Sequence, residues 1–97
     1  MSIVVIVRIP NVDIDKVREA AVTHKELHEQ LRNALNRYGC LSHKRIYNTE
    51  LREIMDIDEW ESDEGMRAFL KEMGPTIAQL AAIRGTGKPT DSIWQNY

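Results

Sequence analysis

Two histidines one helical turn apart are the residues whose spacing most strongly suggests chemistry in this chain. They are His24 and His28, within the segment THKELHEQL at 23–31. Imidazole titrates near neutral pH, so a histidine held by a carboxylate can accept a proton from a substrate. Carboxylates are available at Asp56 and Asp58 in the segment EIMDIDEW at 53–60. The alternation of side chains along a strand places both on the same face.

These residues support three interpretations. In the first, each histidine is a hydrogen-bonded core residue, because an unsatisfied buried imidazole is costly. In the second, His24 or His28 is a general base that Asp56 orients. In the third, both histidines bind a divalent metal ion together with Asp56 or Asp58. The segment HKELH has Lys25 where the zinc-protease signature needs a glutamate, so metalloprotease chemistry is not indicated.

The hydrophobic pattern predicts the elements that position these residues. The β-branched run IVVIVRI at 3–9 predicts a strand buried on both faces, and Asp13 or Asp15 is the expected N-cap of the helix that follows. Apolar residues at three- and four-residue spacing predict one long helix over residues 14–38, ended by Gly39. The stripe on its inner face comprises Val17, Ala20, Ala21, His24, Leu27, His28, Leu31, Ala34, Leu35 and Tyr38.

The second half of the chain predicts a hairpin, two helices and a last strand. Its breakers are Gly74-Pro75, which is expected to end a helix, and the glycines of RGTGKPTD, which indicate a loop. The predicted elements are strands at 40–50 and 51–60 with a turn near 48–52, a helix from the Ser62 N-cap to Gly74, a short helix from Pro75, a loop at 84–91 and a strand at 92–97.

This order, β-α-β-β-α-(α)-β, is that of the ferredoxin-like split βαβ arrangement. It predicts an α+β fold with a four-stranded antiparallel sheet and helices on one face. Because the first strand is apolar on both faces, the uncovered face of the sheet is expected to pair with a second copy of the chain. The predicted partner is therefore an identical subunit, in a homodimer formed through the sheet.

Length and composition exclude several classes of function. The 97 residues predict a single domain over 1–97, and a net charge of −2 with basic and acidic residues interleaved argues against nucleic-acid binding. The single cysteine, Cys40, excludes an intramolecular disulfide and a multi-cysteine metal site. No apolar run reaches transmembrane length and no leader is evident, so we expect a cytoplasmic protein that does not associate with membranes.

The segment DEWESDEGMRAFLKE at 58–72 resembles the antibiotic-biosynthesis monooxygenase-like domains of the dimeric α+β barrel superfamily. The segments RYGCLSH at 37–43 and EWES at 59–62 carry the same resemblance, and element order and length agree over nearly the whole chain. The superfamily includes oxygenases, isomerases, cyclases, dehydratases and proteins without known activity. The resemblance therefore implies the fold more narrowly than it implies a reaction.

The resemblance also implies a pocket between the sheet and its covering helices. Family members that oxidise aromatic polyketides without a cofactor use a Trp there, an Asn four positions before it and a Tyr six positions after it. This chain has Trp60, Asp56 and Met66 at those positions. Heme-degrading relatives use an Asn on the first strand, a Trp in the second helix and a His in the following helix. That Asn is missing here, and Phe69 and Gln79 lie near the other two positions, so heme degradation is disfavoured.

We therefore predict a small-molecule enzyme that resembles cofactor-independent monooxygenases and acts on an aromatic or polyketide-like substrate, without a bound cofactor or metal. His24 or His28 would abstract a proton and Asp56 would orient the base. The residues expected to contact the substrate are Leu31, Asp58, Trp60, Met66 and Phe69. Two alternatives use the same pocket: a non-catalytic dimeric ligand-binding protein, and an isomerase or cyclase.

Overall fold

The computed structural model describes residues 2–97, which form a four-stranded antiparallel sheet with helices on one face. The strands are β1 (Ile3–Ile9), β2 (Cys40–Asn48), β3 (Glu53–Trp60) and β4 (Thr90–Gln95). The helices are α1 (Ile14–Thr23), α2 (Lys25–Arg37) and α3 (Asp63–Arg84). The strand order is β2-β3-β1-β4. This confirms the predicted ferredoxin-like α+β fold. Among residues 2–97, no helix combines the length and apolar character needed to cross a membrane.

The pairing of β1 with β3 determines which side chains of the sheet face the helices. Val5 lies opposite Asp58 and Val7 lies opposite Asp56, so these residues share a face. Ile54 and Trp60, at the two ends of that face, are only 1% and 2% exposed. The predicted face of β3, with two carboxylates between two buried apolar residues, is therefore confirmed.

The predicted single helix over 14–38 is wrong, because the helix breaks at His24. The backbone of His24 has φ −119° and ψ 44°, which separates α1 from α2. Val22 and Thr23 are β-branched and favour helix poorly, and the Thr23 hydroxyl donates to the Glu19 carbonyl 3.0 Å away. Such a bond from a side chain to the preceding turn bends a helix. The break places the His24 carbonyl, rather than its ring, next to His28.

The predicted helix end at Gly74-Pro75 is also wrong, because α3 continues through Pro75 to Arg84. Pro75 removes only one donor from the helix, and Gly74 has no Cβ to meet the proline ring. The buried face of α3 extends on both sides of this point, through Met66, Phe69, Met73 and Leu80. Burial of this continuous face keeps the helix intact. The predicted short third helix is the C-terminal half of α3.

The local signals at the element ends agree with the structure. The Asp13 side chain accepts from the N–H groups of residues 15 and 16, and Ser62 Oγ accepts from the Gly65 N–H at 3.0 Å. Gly39 takes the left-handed conformation after α2, with φ 87°. Asn48 Oδ1 accepts from the Leu51 N–H in the turn between β2 and β3. These contacts set the ends of α1, α2 and α3 and the register of the hairpin.

Candidate functional site

The face of the sheet beneath the helices carries two apolar clusters with polar side chains between them. The first apolar cluster is built on Ile3, Val5, Ala34, Trp60, Met66, Phe69 and Met73. The second apolar cluster is built on Val12, Val17 and Ile54. Between them lies a group of six side chains, here called the polar belt: His28, His43, Arg45, Asp56, Asp58 and Arg84. Ionisable groups therefore converge on this face of the sheet, between the two apolar clusters.

Asp56 forms a two-pronged ion pair with Arg45, which lies opposite it on β2. Arg45 Nε donates to Oδ1 at 2.6 Å and Nη2 donates to Oδ2 at 2.8 Å. The Asp56 side chain is 12% exposed and that of Arg45 is 32% exposed. The hydrogen bond to Asp56 raises the pKa of Arg45, against the effect of burial. Asp56 is therefore engaged by a cation rather than by His24 or His28.

His43 and Asp58 form a second pair, one step further along the same two strands. The His43 Nδ1 lies within hydrogen-bond distance of Asp58 Oδ1. Because a carboxylate only accepts, Nδ1 carries the proton and donates it, which leaves Nε2 free. The hydrogen bond to Asp58 raises the pKa of His43 above its ordinary value of 6.5. This is the geometry of a general base held by a carboxylate.

His28 uses both ring nitrogens within the protein. Its Nδ1 is 2.9 Å from the His24 carbonyl oxygen, and its Nε2 is 2.8 Å from Arg84 Nη2. Since the carbonyl accepts and the guanidinium donates, His28 is the neutral tautomer with its proton on Nδ1. The lone pair that a general base needs is therefore occupied by Arg84. A base role for His28 would require this hydrogen bond to break.

Trp60, Met66 and Phe69 lie together within the closely packed first apolar cluster. The ring centroids of Trp60 and Phe69 are 5.1 Å apart at an interplanar angle of 50°. Leu31 is partly buried against the same cluster. Two surface depressions of about 210 and 520 Å3 lie elsewhere, at the β2–β3 hairpin and beside the C-terminal half of α3. The role of these residues as walls of a pocket stays a prediction.

Sequence reasoning missed the partners of the two aspartates, although a signal was present. A hairpin with a turn over residues 49–52 pairs His43 with Asp58 and Arg45 with Asp56. This register predicts that His43, rather than His24 or His28, is the histidine that pairs with a carboxylate. Arg84 was missed for another reason, since it was expected in a loop and in fact ends α3.

Two other kinds of site can be compared with the structure. Within the part of the chain that the structure describes, no group of three or more His, Cys, Asp or Glu side chains is arranged to hold a metal ion. The Cys40 thiol donates to the Ser42 carbonyl, and burial, followed by the charge of Asp58, raises its pKa to about 11. Because the thiolate is the nucleophilic form, this raised pKa disfavours a nucleophilic role for Cys40 at neutral pH.

No protein-family model matches the chain, and no curated protein matches it. Solved structures do match. A dimeric ferredoxin-like protein from an uncultured marine organism has a TM-score of 0.71 and 13% identity, over 99% of this chain and 90% of that chain. The chain has the fold of this protein. The likeness confirms the fold inferred from the strand order.

Two oxygenases show the same fold. A monooxygenase from the gene ActVA-Orf6 of Streptomyces coelicolor, solved with nanaomycin D, has a TM-score of 0.69 and 18% identity, over 99% of this chain and 88% of that chain. SnoaB, a cofactor-independent oxygenase from Streptomyces nogalater, has a TM-score of 0.68 and 11% identity, over 99% and 93%. The predicted resemblance to monooxygenase-like proteins is thereby confirmed at the level of the fold.

Proposed function

We propose that this protein is a small-molecule enzyme of the cofactor-independent oxygenase kind, acting on a phenolic or polyketide-like substrate at the polar belt. The observation that carries the proposal is the His43–Asp58 pair, a partly exposed imidazole whose Nδ1 is held by a carboxylate. The oxygenase names of two proteins with the same fold support the reaction class. The base is His43, in place of His24 or His28, and Asp58 takes the orienting role predicted for Asp56.

The chemistry begins with proton transfer. His43 Nε2 accepts a proton from an acidic O–H or C–H of the substrate, and the negative charge of Asp58 stabilises the imidazolium that forms. The substrate is left as an electron-rich phenolate or enolate. Dioxygen, the co-substrate and oxidant, then takes one electron from that anion, and the superoxide and substrate radical combine through a new C–O bond. Protonation by the His43 imidazolium gives a hydroperoxide, and cleavage of its O–O bond with loss of water leaves the ring oxidised to a quinone. The protein supplies the base and the orientation.

Replacing His43 by glutamine is expected to lower kcat/KM by at least about a hundredfold, because general-base catalysis contributes that much or more. The measurement is oxygen uptake with a panel of hydroxynaphthalenes, followed by product analysis. Lys71→Gln, an exposed change on α3, is the control and is expected to keep wild-type activity. Saturable binding by the wild type without oxygen uptake on any member of the panel would contradict the proposal and favour a ligand-binding protein.

A pH profile separates a base from a merely structural His43. Because the base must be unprotonated and its pKa is raised, activity is expected to rise with pH through a value above 6.5. Asp58→Asn removes the largest cause of the raised pKa of His43, so the rise of activity with pH is expected to occur at lower pH in this variant. If activity rises at the same pH in Asp58→Asn as in the wild type, a group other than His43 titrates.

The proposal includes a homodimer formed through the face of the sheet away from the helices. The middle of this outer face is apolar, and the dimeric ferredoxin-like protein of the same fold supports pairing of two copies. The strand registers place on it Val4, Ile6, Ile46, Met55, Ile57 and Trp94. Trp94 is 58% exposed in the single chain, and Ile46 is 43% exposed.

Trp94→Glu is expected to convert the dimer to a monomer, because the charge would be buried against the partner's apolar face without a counter-ion. Sedimentation velocity at micromolar concentration measures the change. Ile93→Glu is a matched control, since Ile93 is 51% exposed but points to the opposite face of the same strand. A monomeric wild type, or a dimeric Trp94→Glu variant, would contradict this interface.

A further inference from the structure

Among the described residues of the polar belt, Arg84 carries a side-chain donor that is both buried and unused. It is the last residue of α3, and its Nη2 donates to His28 Nε2 at 2.8 Å. Its Nε is fully buried and has no hydrogen-bond partner within residues 2–97. A buried N–H group without an acceptor costs about as much as a lost hydrogen bond, so such groups are rare in folded proteins. The fold of residues 2–97 therefore supplies no acceptor for this donor.

The charge around Arg84 is also uncompensated. The ion pairs formed among the described residues leave it without a carboxylate, since Asp56 is held by Arg45. Burial, followed by the positive charge of Arg45, lowers the pKa of Arg84, and Asp56 offsets this only in part. The nearest hydrogen-bond partner, His28, is a neutral acceptor. This end of the polar belt therefore carries two guanidinium groups and one carboxylate.

The two arginines of the belt show what is missing. Arg45 presents its Nε and Nη2 side by side and holds both oxygens of Asp56 with them. Of the same two nitrogens, Arg84 uses only its Nη2 as a donor, and the acceptor is the uncharged imidazole of His28. An anionic oxygen at Nε would complete this edge of the guanidinium, since such side-on pairing is the preferred geometry for arginine with an oxyanion.

We infer that the Nε–H of Arg84 is the receptor for an anionic oxygen of the substrate, either a carboxylate or a phenolate. The inference rests on the proposed function, because it places the substrate of that reaction in the same belt. Solvent reaches the belt at the edge strand β2, where the His43 side chain is 41% exposed. Because Arg84 Nε is closed off from solvent in the structure without a ligand, binding at this atom requires the Arg84 side chain to turn toward that opening.

The consequence for the reaction is a division of roles. His43 takes the proton, and Arg84 holds the negative charge that the substrate carries or acquires. A fixed donor aimed at a developing oxyanion stabilises it more strongly in a partly buried site than in water. The substrate class that follows is an aromatic acid or an acidic phenol, in preference to a neutral hydrocarbon-like ring.

The test uses three probes of similar shape: benzoate, 4-nitrophenolate at pH 8.5 and neutral benzamide. Titrations of the 15N-labelled protein are followed at the Arg84 Nε–H signal, which is identified by its loss in Arg84→Gln. We expect benzoate or 4-nitrophenolate to shift this signal saturably, and benzamide to bind at least tenfold more weakly. The stronger of the two anionic probes identifies the source of the oxygen as a carboxylate or a phenolate.

Two variants and a control complete the test. Arg84→Gln is expected to weaken binding of the anionic probe at least tenfold, and Arg84→Lys, which keeps the charge but loses the Nε–H, is expected to weaken it as well. Arg67→Gln, an exposed arginine of the same helix, should bind as the wild type does. Arg84→Gln should melt no lower than the wild type, because it removes a buried charge without a counter-ion. If it fails to fold, the comparison of benzoate with benzamide on the wild type still decides the inference.

Equal binding of benzoate and benzamide, no binding of either anion, or unchanged affinity in Arg84→Gln would overturn the inference. These outcomes are independent of the oxygenase assay. If His43→Gln keeps full turnover while benzoate still shifts the Arg84 signal, the proposed function fails and the anion site stands. If His43→Gln abolishes turnover and no anion binds at Arg84, the proposed function stands and this inference fails.

Discussion

Replacing Trp60 by alanine is expected to lower the free energy of unfolding by about 3 to 5 kcal/mol, the range for large buried aromatic residues. Trp60 is 2% exposed and packs against Phe69 within the first apolar cluster. Removal of the indole leaves a cavity that the sheet and α3 cannot close, because both are held by their own hydrogen bonds. Urea denaturation followed by circular dichroism measures the loss.

The same experiment separates two roles for Trp60. Leu70→Ala, on the same helix as Phe69 but 45% exposed, is the control and is expected to cost less than about 1 kcal/mol. If Trp60→Ala is as stable as this control and loses only ligand affinity, Trp60 is the wall of an open pocket, as predicted from the sequence. A large loss of stability identifies it as a core residue, which its packing favours.

Replacing Asp56 by asparagine is expected to destabilise the fold by about 2 to 3 kcal/mol, because it leaves a partly buried guanidinium without its counter-ion. Asp56 accepts two hydrogen bonds from Arg45. An asparagine can accept only one of them and presents its own donors to the other. Thermal and urea unfolding at neutral pH measure the change.

Two comparisons make the test of Asp56 decisive. Asp63→Asn removes the carboxylate of an exposed pair with Arg67 and is expected to cost much less, since solvent screens that pair. The double change Asp56→Asn with Arg45→Gln is expected to recover part of the loss, because no unpaired charge then remains. If the Asp56→Asn protein is as stable as the wild type, the Arg45–Asp56 pair does not contribute to the stability of the fold.

The local signals of the sequence were sufficient to predict where helices and strands occur. They were not sufficient to predict where one helix divides in two or where two predicted helices form one. Asp13, Ser62 and Gly39 act as caps where they were expected, because a cap depends on a few neighbouring residues. The break at His24 and the passage of α3 through Pro75 were not predicted. The first depends on a side-chain bond from Thr23, and the second on burial of a face that extends over several turns of helix.

The candidate site divides in the same way. Alternation along β3 was sufficient to place Asp56, Asp58 and Trp60 on one face, and the family resemblance implied that this face lies beneath the helices. The choice of partners was not predictable from helical spacing, which suggested His24 and His28. It follows from strand register, which places Arg45 and His43 beside the two aspartates.

The amino-acid sequence by itself therefore determined where strands and helical segments occur, their caps and which residues of β3 share a face. These properties depend on periodicity and on residues close in the chain, and so they are local. Only the tertiary structure decided that Asp56 belongs to Arg45, that His28 is held by Arg84 and that the Arg84 Nε remains without an acceptor. The two hydrogen bonds join residues 11 and 56 positions apart, and the Arg84 Nε has no acceptor among residues 2–97. These contacts are decided by burial and by competition among charged groups for the same few acceptors. Both arise only when the helices pack on the sheet.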